Sequence, residues 1–170
     1  MKTKMVALFA TLMIALMVVG ISYAMWDKYL YIDGTVYTGE VDADFTDAYC
    51  DDTNIDPGYD KDVGSCSVSG IGTQTLTVTV DNGYPSYRCT VHYEINNIGT
   101  IPVKIQAITL DNPNTEITVT VTDITVGVQI DPGLGLWGDL EIHVEQSAAE
   151  LATYTFSLTI YLVQWNEYIP

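Results

Sequence analysis

The feature that most constrains the fold is a two-residue alternation of apolar and polar side chains, which runs through most of the chain after Gly34. The alternating segments are rich in Thr, Val, Ile and Tyr, and no segment of helical length keeps a 3.6-residue period. We therefore predict an all-β protein. The predicted inward-facing residues are Leu76, Val78 and Val80; Cys89, Val91, Tyr93 and Ile95; Val103, Ile105 and Ala107; and Leu140, Ile142 and Val144.

The final alternating run, Thr153 to Trp165, differs from the others because both of its faces are apolar. One face carries Tyr154, Phe156, Leu158, Ile160 and Leu162, and the other carries Tyr161, Val163 and Trp165. A strand that is apolar on both faces is typical of the centre of a packed structure or of a position under a neighbour. We expect this strand to occupy such a position.

Turn residues separate the runs at DNGYP, NNIGT, DNPNT and DPGLGLWGD, where Gly, Pro, Asn and Asp supply the unusual dihedral angles. Eight or nine short strands at this spacing predict a β-sandwich of jelly-roll or immunoglobulin-like kind. The first strand of the sandwich is predicted at TVYTGEVDADF, from Thr35 to Phe45.

The N-terminal segment has the three parts of a secretory signal. Lys2 and Lys4 precede an apolar run from Met5 to Ile21, and Ser22 and Ala24 occupy the small-residue positions before a cut. We expect cleavage after Ala24, which leaves 146 residues, the size of one domain. An uncleaved membrane anchor is the alternative, because the apolar run is at the short edge of a span. A type IV pilin leader is disfavoured, because no helical stalk follows.

The charge balance limits the partners of the mature chain. Removal of Lys2 and Lys4 leaves four basic residues against 22 acidic ones, a net charge of −18. Such a surface repels nucleic acid and anionic lipid, and it favours solubility outside a cell and attraction of cations. We therefore expect a secreted or cell-surface protein that binds no nucleic acid and, after removal of its leader, no membrane.

Three cysteines would enter an oxidising compartment after export, and their odd number leaves one thiol unpaired or paired between chains. Cys50 and Cys66 enclose 15 residues, and a bridge between them would stabilise the fold by about 3 kcal/mol in the loop-entropy model. The alternative pairing is Cys66 with Cys89, since Cys66 shares parity with the inward-facing Val68. The spacing favours Cys50–Cys66, which leaves Cys89 as a small buried hydrophobe.

The segment between Cys50 and Cys66 is densely acidic. Calcium binds roughly six to eight hard oxygen ligands, and a loop supplies them at alternate positions. An EF-hand loop is a poor match, because Pro57 replaces the required Gly and Val63 replaces the final Glu. A solvated loop is the favoured interpretation, calcium is the alternative, and no cofactor is required. The oxygen-bearing residues are Asp51, Asp52, Asn54, Asp56, Asp60 and Asp62.

The sequence lacks the common catalytic motifs. It contains no HExxH zinc motif, no Gly-x-Ser-x-Gly and no Gly-rich phosphate loop. A metal site could be assembled from Glu141, His143 and Glu145, but one exposed strand face rarely brings enough ligands together. Solvated side chains are favoured there, and we predict that the protein is not an enzyme.

Four segments carry a family resemblance across nearly the whole chain: the leader running into MWDKYLYIDGTVYTGEV, then DPGYDKDVGS, NNIGTIPVKIQAI and ATYTFSLTIYLVQWNEY. Together they resemble the TasA/camelysin-like secreted proteins of bacteria and the related archaeal bundling pilins. The N-x-G-(T/S)-I-P-V-K turn and the closing QWN are the more specific parts. The name camelysin suggests a metallopeptidase, but without a zinc motif that activity is not carried over.

The resemblance implies a jelly-roll domain that polymerises head-to-tail with its own copies, into biofilm matrix fibres or bundling pili. In donor-strand complementation the N-terminal segment of one subunit fills a strand position in the next. The implied organisation is a signal peptide at residues 1–24, a donor strand at 25–34 and a β-sandwich at 35–170. The implied plugging residues are Met25, Trp26, Tyr29, Leu30, Tyr31 and Ile32, with Asp33 and Gly34 as the hinge.

Two other functions stay open at the level of sequence. One is a monomeric surface module, anchored by an uncleaved leader, that binds a carbohydrate or a protein. The other is a secreted peptidase. In a monomer, the aromatic segment after the leader would be exposed or would form an ordinary first strand on its own domain.

Overall fold

A computed structural model describes residues 2–22, 28–52 and 63–170. These residues form two compact units, Met1–Tyr37 and Thr38–Pro170. The first unit contains helix α1 (Lys2–Ser22), and the second contains nine strands. The strands are β1 (Ala43–Asp51), β2 (Ser65–Ser69), β3 (Thr77–Asp81), β4 (Arg88–Asn97), β5 (Val103–Asp111), β6 (Ile117–Thr122), β7 (Gln129–Ile130), β8 (Gly135–Val144) and β9 (Ser157–Gln164).

Helix α1 coincides with the apolar part of the predicted leader. It is long and apolar enough to cross a membrane, and it lies near the N-terminus, where signal sequences have the same character. The helix is apolar all around rather than on one face, and its described side chains are exposed. Its composition and position are those of a secretory signal or a membrane anchor.

The strands form three antiparallel sheets, which confirms the predicted all-β class. Their strand orders are β1-β4-β8-β6, β2-β3 and β7-β5-β9. Side chains from all three sheets contribute to one hydrophobic core, so the arrangement is sandwich-like. The most deeply buried apolar residues of this core are Tyr87, Cys89, Val91, Val103 and Ile105.

The predicted alternation is confirmed along β4 and interrupted in β5. Every predicted inward residue of β4 is buried, and the residues between them are only half-buried. In β5 a bulge lies between Ile105 and Ala107, so the inward face passes to Ile108 and Leu110 beyond it. The prediction that Ala107 faces the core is therefore wrong, because one extra residue reverses the parity of the strand.

The first strand lies further along the chain than predicted, since it spans Ala43–Asp51 rather than residues 35–45. Residues 35–42 have no regular secondary structure, and Val36 and Tyr37 are exposed. The backbone just before the strand is hydrogen-bonded to the turn that follows β4. The Glu40 N–H donates to Thr100 Oγ1 at 2.8 Å, the Thr100 N–H donates to the Glu40 carbonyl at 3.0 Å, and the Gly99 N–H donates to the Asp42 carbonyl at 3.0 Å.

Asn97, at the end of β4, is a fully buried polar residue. Its Nδ2 donates to the carbonyls of Ile101 and Ile130, each at 2.9 Å, and its Oδ1 accepts from the Gly99 N–H at 3.0 Å. Three hydrogen bonds from one side chain connect β4, the following turn and β7. The N-x-G turn of the NNIGTIPVK segment is therefore built around the Asn97 amide.

Candidate binding groove

Strands β3 and β9 each have one unpaired edge within the described part of the chain. β3 pairs only with β2, and β9 pairs only with β5. An open groove with a cavity volume of about 600 Å³ lies between residues 74–78, which include the first two residues of β3, and residues 154–160, which include the first four residues of β9. The prediction that β9 is central or covered is wrong for the isolated chain, because β9 is an edge strand and its Tyr161 is 57% exposed.

The groove has two walls and a floor. Consecutive residues 74–78 and 154–160 form the walls, and Val91, Tyr93 and Leu140 from the four-stranded sheet contribute to the floor. None of the residues that line it is charged, although the chain has 22 acidic residues. Apolar side chains in the walls are half-buried and pack against the core, namely Leu76, Val78, Tyr154, Phe156, Leu158 and Ile160.

A second cavity of about 330 Å³ extends the groove beyond β3. It shares Phe45, Gln74 and Ile160 with the first cavity and continues along β9 to Leu162, where residues 41–45 line it. The combined groove follows nine residues of β9 and its approach, from 154 to 162. Nine residues of extended chain span about 30 Å.

The groove combines two features that suit an extended polypeptide. The free edges of β3 and β9 present backbone N–H and C=O groups that another strand can pair with. The uncharged floor accepts apolar side chains, which an extended chain presents at every second residue. Backbone pairing at the edges and alternate side chains in the floor are the two contacts of β-strand addition.

The implied donor residues lie in the N-terminal unit, as far as they are described. Met25 and Trp26 lie outside the described residues. Tyr29, Leu30, Tyr31 and Ile32 are between 74% and 97% exposed and have no regular secondary structure, like Asp33 and Gly34 after them. The rings of Tyr29 and Tyr31 stack with centroids 6.4 Å apart. Stacking between alternate residues indicates that these two rings share one side of the segment.

The favoured cysteine pairing is wrong, and the alternative pairing is present. Cys66 is bonded to Cys89, and Cys50 is a free, half-buried thiol. The strand register shows why both pairings are within reach. Cys50 on β1 lies opposite Val91 on β4, two residues from Cys89, and both cysteines lie on the inward face of the sheet. Both Cys50 and Cys89 therefore face Cys66, and loop length alone could not distinguish between them.

Most of the predicted acidic loop lies outside the described residues, including Asn54, Asp56, Asp60 and Asp62. Of the two that are described, Asp52 has a structural role. Its Oδ2 accepts hydrogen bonds from the Cys66 N–H at 3.0 Å and from the Tyr87 hydroxyl at 2.9 Å. The Asp52 carboxylate therefore connects the end of β1 to β2 and to the residue that precedes β4.

On the outer face of the four-stranded sheet, the titratable side chains lie in separate pairs. His92 Nδ1 lies 2.7 Å from Asp139, Arg88 is paired with Glu141, and His143 Nδ1 lies 3.5 Å from Glu145. Glu141 is paired with Arg88, whereas His143 and Glu145 are paired with each other, so these three side chains are not brought together as one group. Among the described residues, the only group of three candidate metal ligands within reach of one another is Cys50, Cys66 and Cys89.

An aromatic cluster on this outer face was not predicted from the sequence. Tyr49 lies over His92, with ring centroids 4.7 Å apart, and its ring centroid is 6.2 Å from that of Trp137. The three residues are on three different strands, so only the register of β1, β4 and β8 brings them together.

Comparisons of the chain with protein-family models, with curated proteins and with solved structures found no match in any of the three. The groove was also not predicted as a site from the sequence. The inward residues of the final run that line it were predictable from the alternation, but its free edge depends on strand pairing, which the alternation does not encode.

Proposed function

We propose that the protein is a secreted structural subunit of an extracellular filament, and that it polymerises head-to-tail by donor-strand complementation. The observation that carries the proposal is the groove between β3 and β9, whose larger cavity has no charged lining residue. Its proposed occupant is the segment Met25–Gly34 of a second copy. An apolar N-terminal helix and a disulfide are both consistent with export of such a subunit.

The dimensions of the segment and the groove support this assignment. Ten extended residues reach about 33 Å, and the nine-residue groove measures about 30 Å by the same rise. An inserted strand would give the sheet order β7-β5-β9-donor-β3-β2, opposite the four-stranded sheet, in a jelly-roll-like sandwich. β9 would then be paired at both of its edges, with β5 and with the donor strand.

The energy of insertion is adequate for a filament without covalent bonds. Burial of four or five large side chains at roughly 1.5–3 kcal/mol each gives a gross gain on the order of 10 kcal/mol, before the cost of ordering the segment. The contact is head-to-tail, because the donor and the groove are different surfaces of one subunit. Contacts of this kind propagate as an open fibre when the rotation between subunits does not close a ring.

Deletion of the donor segment tests the proposal. We expect filaments from the exported full-length protein, and only soluble monomers from a variant that keeps the leader but lacks residues 25–34. Electron microscopy and sedimentation velocity distinguish the two, and circular dichroism checks that the shortened subunit keeps its β-structure. Filaments from both proteins would contradict the proposal.

A synthetic peptide of residues 25–34 is expected to stabilise the variant that lacks this segment. A ligand at 100 times its Kd adds about 2.7 kcal/mol to the free energy of unfolding, which raises Tm by roughly 10 °C in a domain of this size. Successive residues of a strand face opposite sides. Peptides with Leu30 and Ile32 changed to Asp should therefore stabilise the domain to a clearly different extent from peptides with Tyr29 and Tyr31 changed to Asp. Equal stabilisation by both altered peptides would contradict insertion as a strand.

A further inference from the structure

The three cysteines of the chain lie close enough to react with one another. Their sulfur atoms all lie within 4.8 Å of each other, although they come from β1, β2 and β4. Cys66 is bonded to Cys89, and the Sγ of Cys50 lies 3.1 Å from the Sγ of Cys66. A free thiol therefore contacts one sulfur of an existing disulfide, which is the arrangement that precedes thiol–disulfide exchange.

We propose that Cys50, Cys66 and Cys89 form an internal thiol–disulfide exchange site, in which Cys66 is bridged to either of the other two. The Cys50 thiolate attacks the Sγ of Cys66, and the bond between Cys66 and Cys89 breaks as the new bond forms. Cys89 leaves as a thiolate and takes up the proton that Cys50 has lost. One disulfide and one thiol are present before and after the step, so neither an oxidant nor a reductant is consumed.

The surroundings of Cys50 make this exchange slow at neutral pH. Burial raises the pKa of the Cys50 thiol to about 11, with a smaller contribution from the carboxylate of Asp52. Within the described residues, the Tyr87 hydroxyl also contacts this carboxylate, to which it donates at 2.9 Å. Because the thiolate is the nucleophile, the exchange rate should rise about tenfold per pH unit until the pH approaches 11.

The exchange would move the covalent anchor of the β2-β3 hairpin. In the observed bond β2 is tied to β4, and after exchange it would be tied to β1, the edge strand of the four-stranded sheet. The start of β3 contributes to one wall of the groove, so the position of the disulfide that holds the β2-β3 hairpin should affect strand insertion. This consequence rests on the proposed function, whereas the exchange itself does not.

The variant Cys89→Ala provides the first test, on the exported full-length protein. We expect a Cys50–Cys66 bridge within each chain, identified by mass spectrometry of unreduced peptides. Two free thiols, or bridges only between chains, would overturn the proposal. Whether this variant forms filaments is scored separately, so failure of the exchange and failure of the proposed function are distinguishable.

The unmodified protein provides the second test, through the position of its free thiol. Samples are held between pH 7 and pH 10, quenched in acid, denatured and labelled with N-ethylmaleimide. We expect label on Cys50 and increasingly on Cys89, never on Cys66, with a rate that rises about tenfold per pH unit. The control Cys50→Ser should stay bridged and unlabelled throughout. Label confined to Cys50 after long incubation at pH 10 would overturn the proposal.

Discussion

Replacement of Ile160 by Glu is expected to abolish polymerisation while the subunit stays folded. Ile160 lines both cavities of the groove and is only half-buried in the subunit. The introduced carboxylate would therefore reach water in the free chain. An inserted strand would cover it in a groove whose only charged lining residues, among those described, are the acidic Asp42 and Asp44 of the smaller cavity. An unpaired buried charge costs several kcal/mol, a large part of a gross insertion energy on the order of 10 kcal/mol.

The neighbouring residue supplies a matched control for this experiment. Tyr161 lies on the opposite face of β9 and is 57% exposed, so Tyr161→Glu adds the same charge outside the groove. Sedimentation velocity and electron microscopy should show monomers for Ile160→Glu and filaments for Tyr161→Glu. Normal filaments from a folded Ile160→Glu protein would show that the groove is not the acceptor.

Mixing two defective subunits tests whether the donor acts between molecules. Ile160→Glu keeps its donor and loses its groove, whereas the variant without residues 25–34 keeps its groove and loses its donor. Together they should form one-to-one pairs that grow no further, because a pair has neither a free donor nor a free acceptor groove. Absence of pairs would indicate that the segment fills the groove of its own chain.

The alternation predicted which side chains of a strand face the core, but not which strands pair with one another. In β4 the inward residues were predictable because a two-residue period depends only on which side of the sheet is buried. In β5 the same reasoning failed after Ile105, because a bulge leaves no clear trace in the pattern. The pairing of strands depends on contacts distant in sequence, which periodicity does not encode.

The cysteines and the final strand illustrate this limit at the candidate sites. Loop length favoured Cys50–Cys66, but the register of β1 on β4 places Cys50 beside Cys89, and this register could not be predicted from spacing. The final run was predicted to be covered, and the subunit leaves it at an edge. Under the proposed function, the donor strand would pair with this edge in the assembled filament.

Replacement of Asn97 by Ala is expected to lower the free energy of unfolding by about 3 kcal/mol or more. The loss leaves three backbone groups without their partner: the carbonyls of Ile101 and Ile130 and the N–H of Gly99. An unsatisfied buried group costs about 1–3 kcal/mol, and the cavity left by the side chain adds to that cost. Urea unfolding of the two proteins at one pH measures the difference.

Asn96→Ala is the matched control, because Asn96 is the preceding residue of β4 and lies half-buried on its other face. It should lose much less stability, within about 1 kcal/mol. Equal losses in the two variants would mean that the Asn97 hydrogen bonds do not hold the turn.

The Asn97 side chain also bears on the start of the second unit. The turn that it builds binds the backbone of Glu40 and Asp42, just after the boundary between Tyr37 and Thr38. Amide hydrogen exchange of Asn97→Ala should therefore be faster at Glu40, Gly99 and Thr100 than in Asn96→Ala. Under the proposed function, this turn fixes the point at which the donor segment leaves the domain, so Asn97→Ala filaments should also dissociate at lower urea concentration.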